Sequence, residues 1–283
     1  MIAIKIVKHR ILASALLIVC LAHCAAFADV GVSVARMGIY AGYLERFSDS
    51  KGIRWSDNIA YKVFADKGLN ISVTEFPAKR LALSLETGKI DTFVSSNESL
   101  GSYADSFLRA KFPVAITTWY IYYDHTKGWV PAWPPDPIFK GKIGESQQSA
   151  ESLTRLYQLN ITQAAGFDAI VNMVNLGRAD YWLESRVGLR LLSPNLLKTT
   201  AEGFTSRPLF RRGIYMFFQN TERGRWFKKV YDEGFEKILA DGLYVKTYYK
   251  NDPDSKDTFT TNETIQFIRT AFPDFYVPEQ NPL

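Results

Sequence analysis

Gly88-Lys89-Ile90-Asp91-Thr92-Phe93-Val94 is matched 89 residues later by Gly177-Arg178-Ala179-Asp180-Tyr181-Trp182-Leu183. A stretch of helical spacing precedes each copy: residues 78–87 before the first, and Phe167, Ile170, Val171 and Val174 before the second. The glycine suits the left-handed position that ends a helix, and the apolar residues after the aspartate read as a short buried strand. The shared order of helix, Gly, basic residue, Asp and strand predicts two similar αβ units in one chain.

Reading outward from the first copy, residues 56–67 carry Ile59, Tyr61, Val63 and Phe64 in a helical pattern that Gly68 stops. Residues 69–76 alternate as a strand, with Leu69, Ile71 and Val73 on one side. Strand, helix and strand joined by short connections predict a parallel α/β sheet. Between the copies, residues 129–137 hold four prolines and two tryptophans, which marks a connector. Beyond the second copy, residues 213–218 form an apolar run of strand length. From Thr221, the residues Trp226, Phe227, Val230, Tyr231, Phe235, Ile238 and Leu239 then trace a long amphipathic helix ended by Gly242. The tail offers one short helical candidate, 263–272, expected to pack against the body.

The 283 residues are 47% hydrophobic, 14% aromatic and 22% charged, which excludes a disordered chain and suits one large domain or two small ones. The first 28 residues read differently. Lys5, Lys8 and Arg10 precede an apolar run at 11–21, and Ala26-Phe27-Ala28 forms a small-x-small cleavage signal before Asp29. These features predict a secretory signal peptide and export to a bacterial periplasm. A lipid anchor on Cys24 is not expected, because His23 stands where that signal needs a small residue.

Without the leader the chain carries 31 basic and 29 acidic residues, no Cys, and His125 as its one histidine. Near-neutral charge gives no reason to expect nucleic acid or an anionic membrane as partner. Zinc sites and thiolate catalysis need residues the mature chain lacks, and no glycine-rich phosphate loop or G-x-S-x-G elbow occurs. No metal or cofactor is expected. Carboxylate pairs are the catalytic device this inventory leaves open.

Several motifs in fixed order carry a family resemblance: Phe76-Pro77-Ala78-Lys79-Arg80-Leu81, Gly88-Lys89-Ile90-Asp91, Phe112-Pro113, Phe139-Lys140-Gly141-Lys142-Ile143-Gly144, Gly177-Arg178-Ala179-Asp180, and Ile238-Leu239-Ala240-Asp241-Gly242-Leu243 with Tyr248-Tyr249-Lys250. Over about residues 30–250 the chain resembles the type II periplasmic solute-binding proteins of the amino-acid-binding family 3. The resemblance implies an α/β fold of two lobes joined by two crossing hinge strands, near Tyr120 and Phe217. A signal peptide of residues 1–28 would be followed by lobe 1 from 29 to 122, lobe 2 from 123 to 218, and a return to lobe 1 with the tail over 219–283. It also implies a monomer that captures a small-molecule ligand between the lobes. An ABC-transporter permease or a membrane sensor would then receive it, without catalysis. A cyclohexadienyl-dehydratase-like enzyme on the same scaffold and a ligandless sensory module are the alternatives.

The resemblance also shows where the usual anchors are missing. The arginine that takes an amino acid's carboxylate would fall at Tyr103 or Ala104, and the aspartate that takes its ammonium at Ser185, beside Glu184. The Gly-Thr or Gly-Ser turn that opens the second-lobe helix reads Gln148-Ser149. An aromatic or less charged solute is therefore expected. Tyr40 and Tyr43 follow the first strand as ligand-stacking aromatics or as surface packing. Ser95 and Ser96 follow the Asp91 strand as ligand donors or as caps. Arg80 stands at a helix start as a cleft cation or a solvated charge, and Trp119 as a ligand wall or a core residue. Tyr103, Ser149, Glu184 and Ser185 complete the candidates. Asp91 and Asp180 are expected to hold their turns together.

Overall fold

The computed structural model describes residues 34–40, 55–132, 134–143, 147–164, 167–185, 204–244 and 258–275. The expected leader and Tyr43 lie outside them. Met1–Val34 form one unit, of which Val34 alone is described, and Ala35–Leu283 form the other. The first αβ unit runs β1 (Val34–Tyr40), α1 (Trp55–Ala65), β2 (Asn70–Phe76), α2 (Ala78–Glu86) and β3 (Thr92–Ser95), with strand order β2-β1-β3. Helix α3 (Asn97–Leu100), a 3-10 turn (Gly101–Ser106) and β4 (Leu108–Arg109) lead into β5 (Ala115–Asp124). The second unit runs β6 (Gly141–Ile143), α4 (Gln147–Tyr157), β7 (Ile161–Gln163), α5 (Phe167–Asn175) and β8 (Tyr181–Ser185), with the equivalent order β7-β6-β8. β9 (Phe204–Phe218), α6 (Glu222–Ala240) and α7 (Thr258–Ala271) follow.

The repeat seen in the sequence extends to individual hydrogen bonds. Gly88 and Gly177 take φ of +69° and +67°, where a Cβ would be strained. That turn lets the amides of Lys89 and Ile90 fold back onto the Ser84 carbonyl, and those of Arg178 and Ala179 onto the Met173 carbonyl. Each aspartate then clamps the neighbouring parallel strand. The Asp91 amide donates to the Arg36 carbonyl while the Arg36 amide donates to Asp91 Oδ2, and Asp180 makes the same exchange with Lys140. Asp91 also accepts from the Arg36 and Arg223 guanidinium groups, at 2.7 Å for the shortest bond to each. Burial alone would raise its carboxyl, but these hydrogen bonds outweigh burial and hold it below the usual carboxylate range.

Each unit closes over its own apolar core. Leu81, Leu85, Ile90, Phe93 and Phe217 pack in the first, and Ile143, Leu153, Ile161, Tyr181 and Leu183 in the second. Every such side chain removed from water contributes about 1.5–3 kcal/mol. What joins the units is β9. Residues 204–214 of it pair antiparallel with β5, and residues 215–218 pair with β3. The strand expected at 213–218 thus begins at Phe204. Its first half was hidden by Arg207, Pro208, Arg211 and Arg212, and Pro208 is accommodated at a register shift opposite Trp119 and Tyr120. α7 begins at Thr258, earlier than the expected 263, and packs along β5. There the Ile116 amide, pointing away from β9, donates to Thr264 Oγ1 at 2.8 Å. Among the described residues no helix is long and apolar enough to cross a membrane.

Two stability measurements follow. Asp91→Asn should cost about 2 kcal/mol, below the usual figure for a broken buried pair because both arginines are partly exposed. A carboxyl whose pKa is lowered on folding stabilises fully above its unfolded value of about 4 and progressively less as the pH falls through the folded value. Urea titrations should therefore show the wild-type advantage shrinking below about pH 4 and absent once Asp91 is protonated in both states. Thr264→Val, which keeps shape and removes the acceptor for a buried amide, should cost about 1–3 kcal/mol in the same assay.

Candidate functional site

Side chains alternate along a strand, so Arg211 and Arg212 of β9 point to opposite faces. Arg211 is exposed, whereas Arg212 is 1% exposed, on the face that also carries Phe210. Directly paired residues share a face. Phe210 pairs with Trp119 of β5, and Trp119 pairs with Ser185 of β8. This face packs on α4 through Ala150 and Leu153. Tyr120 and Tyr122 belong to the opposite face, against Ile170 and Val174 of α5.

The Arg212 guanidinium gathers parts of both units. Its Nε donates to Ser96 Oγ at 2.7 Å and to Glu98 Oε2 at 3.1 Å, and its Nη2 donates to Ser99 Oγ. Cζ lies 4.7 Å from the centre of the Trp119 ring, a cation–π distance. Ser96 caps α3 by accepting the Ser99 amide at 3.1 Å, which fixes the turn that presents Glu98 and Ser99. From the second unit, Ser149 Oγ of α4 donates to Ser99 Oγ at 3.3 Å. α3 and the 3-10 turn pack against α4, so the two units meet directly here. A buried guanidinium without an anion would cost several kcal/mol, which Glu98 offsets.

Two tyrosines register this charge. Burial, with the Glu98 carboxylate adding to it and Arg212 opposing it, pushes the Tyr157 phenol up from its ordinary value. Burial does the same to Tyr215, where Arg109 opposes the shift and Glu98 adds to it. Arg109 sits over that ring, 4.5 Å from its centre.

Among the sequence candidates, the structure brings Ser96 and Trp119 to Arg212 and Ser149 to Ser99, with Ser185 paired to Trp119. Ser95 ends β3 and is buried beside Ser96. Glu184 pairs with Tyr120, and its Oε1 accepts from both the amide and the hydroxyl of Ser185, at 2.7 and 3.1 Å. Arg80 is exposed on α2. Tyr103 is exposed in the 3-10 turn, its ring stacked on Phe107. Tyr40 ends β1. The sequence reading passed over Arg212, Glu98 and Ser99. Its available signal was the two-residue period of 213–218, which, carried back, puts Arg212 on the face of Met216. No group of three His, Cys, Asp or Glu able to hold a metal occurs among the described residues.

Solved structures share this fold. An ancestral arginine-binding protein bound to arginine aligns at a TM-score of 0.56 with 13% identity, over 77% of this chain and 97% of its own. A putative L-cystine ABC transporter protein from Listeria monocytogenes aligns at 0.58 with 14% identity, over 77% and 95%. The chain has the type II periplasmic-binding fold. An ancestral amino-acid-binding protein described as a precursor of cyclohexadienyl dehydratase shares this fold at 0.56 and 14%, over 77% and 95%. No family model matches the sequence, and no curated protein matches it. In this two-lobed fold, β5 and β9 are the crossing strands, and Arg212 stands on one of them.

The charge pair at this crossing should show measurable coupling. Arg212→Met is expected to destabilise by about 3 kcal/mol, and Glu98→Gln by less, because Glu98 reaches water. A double-mutant cycle read by chemical denaturation should give a coupling of about 1 kcal/mol.

Proposed function

We propose that the chain is a non-catalytic solute-binding protein. On this reading it is exported to the periplasm after loss of residues 1–28 and works as a monomer. It captures a small molecule between a lobe of residues 29–122 and 219–283 and a lobe of residues 123–218, then presents it to an ABC-type importer or a membrane sensor. The Arg212 cluster is the observation that carries this reading. It draws on the end of β3, on α3, on α4 and on both crossing strands, the segments that would separate or bend if the lobes opened. Polar groups gathered at a hinge gain strength when closure excludes water. Binding proteins among the fold's neighbours support the same reading. The usual charged anchors for an α-amino acid do not recur at Tyr103 and Ser185. The expected ligand is therefore not held in the manner of the amino-acid-binding proteins.

Thermal-shift screening of the mature protein against amino acids, aromatic carboxylates, short peptides and sugars tests this, together with native mass spectrometry of freshly purified protein. A ligand at about 100 times its Kd adds about 2.7 kcal/mol, and X-ray scattering should then show a smaller radius of gyration. No co-purifying molecule and no stabilising solute would reject solute capture. Chemical turnover of the bound molecule would favour the enzymatic alternative.

A further inference from the structure

We infer that α7 is a clasp on the hinge: it grips β5 at Ile116 and so confines the bending of that crossing strand to the few residues before β8 takes hold. The inference rests on the lobe motion that the solute-binding reading uses, and it names the element that limits that motion.

α7 follows the last of the motifs that carry the family resemblance, Tyr248-Tyr249-Lys250. Thr264, Ile265 and Ile268 form its buried face, and the helix lies along β5. Apolar residues alone would hold a helix there. Thr264 adds a directed contact, because its Oγ1 accepts the Ile116 amide, a buried donor on the edge of β5 away from β9. The foot of α7 is fixed in turn. Phe272 and Phe275 pack on Phe112, with ring centres 4.8 and 5.0 Å away, and Phe112 packs on Phe235 of α6. Lys111 is held twice by α6, its amide donating to Asp232 Oδ1 at 2.8 Å and its ammonium to Glu236 Oε1 at 3.2 Å. The Val114 carbonyl accepts from the Tyr244 hydroxyl at 2.7 Å. Segment 111–114, α6 and α7 therefore form one block, and Thr264 carries its hold two residues further, into the crossing strand.

From Trp119 to Tyr123 the same edge of β5 belongs to β8. Between the two grips lie Thr117 and Thr118, opposite Arg212 and Arg211. Directly beyond them the ladder shifts register between Trp119 and Tyr120, where β9 carries an extra residue at Leu209. A bulge of this kind bends its strand and interrupts the ladder. Hinges absorb motion in a few residues at the ends of elements. Here the clasp sets one limit of that stretch and β8 sets the other. Without the Thr264 bond the limit retreats to Val114, and the strand gains two residues over which to bend. Because α3 already packs on α4, the added range opens the units rather than closing them further.

Pulsed electron paramagnetic resonance on the mature protein tests this. Cys20 and Cys24 both fall in the leader, so Glu86→Cys on α2 and Arg155→Cys on α4, both exposed, supply a unique spin-label pair across the two units. In solute-free protein, Thr264→Val should lengthen the mean distance and broaden its distribution. Thr264→Ser keeps the acceptor and should restore the wild-type profile. Val63→Ala removes buried apolar volume between α1 and α6, away from β5, and should leave the profile unchanged despite its cost in stability. If Thr264→Val does not fold, Phe272→Ala, which loosens the foot of α7 from Phe112, should give the same shift. A wild-type profile in Thr264→Val, or in Phe272→Ala where that variant stands in, overturns the inference. So does a Thr264→Ser profile that stays shifted, or an equal shift in Val63→Ala, the mark of general loosening. The two readings fail separately. A solute found in the screen with an unshifted Thr264→Val profile leaves solute capture and removes the clasp. A shifted profile with no solute found leaves the clasp and removes solute capture.

Discussion

The antiparallel ladder between β5 and β9 is the constraint from which the architecture follows. It runs from Ala115 opposite Ile214 to Asp124 opposite Phe204, and the sheets of both αβ units are built outward from it. The far edge of β5 meets β8, and the far end of β9 meets β3, so the two units share strands rather than a linker. An extended pair can twist and bend while keeping its hydrogen bonds. A hinge made this way permits rotation of the lobes and resists their separation. Thr264 adds a clasp on the outer edge of β5, where the ladder to β8 has not yet begun.

Charge is placed at two depths along this frame, with different consequences. Asp91 is buried and meets two arginines that keep partial contact with water, so it fastens β1, β3 and α6 together at modest cost. At the crossing, the buried partner is the cation and the water-reaching partner is the anion. The first arrangement locks a turn. The second buries the cation and leaves the anion at the edge of the water.

Much of the fold was legible in the sequence because it depends on local signals. Gly88 and Gly177 announce the helix ends, and the residues between them alternate or recur at helical spacing. Both aspartates keep the turn-holding role that their position suggested. The site was less legible, because it depends on pairing across long stretches of chain. Arg211-Arg212 reads as two solvated charges until the strand is extended back to Phe204, and then one of the two must turn inward. Ser96 was noticed as a cap, and it is a cap, but its hydroxyl also meets a residue 116 positions away. Glu184 and Ser185 looked equivalent as neighbours in sequence. They pair with Tyr120 and Trp119, yet their side chains meet, the Ser185 hydroxyl donating to Glu184 Oε1 at 3.1 Å, a contact that spacing in the sequence does not announce.

The shared strand also orders events during folding. The second unit and the ladder that supports it occupy one continuous stretch, from Ala115 to Ile214. The first unit is interrupted, because Thr92 waits for Phe218 and Phe93 for Phe217. Closing such a long loop costs entropy before any contact returns it, so pairings of this span form slowly. A chain emerging from its N-terminus can complete its middle first, while its opening third stays without its partner strand until residue 218 arrives. The end of β3 that carries Ser95, and the Ser96 cap beside it, therefore belong to the last part of the molecule to settle.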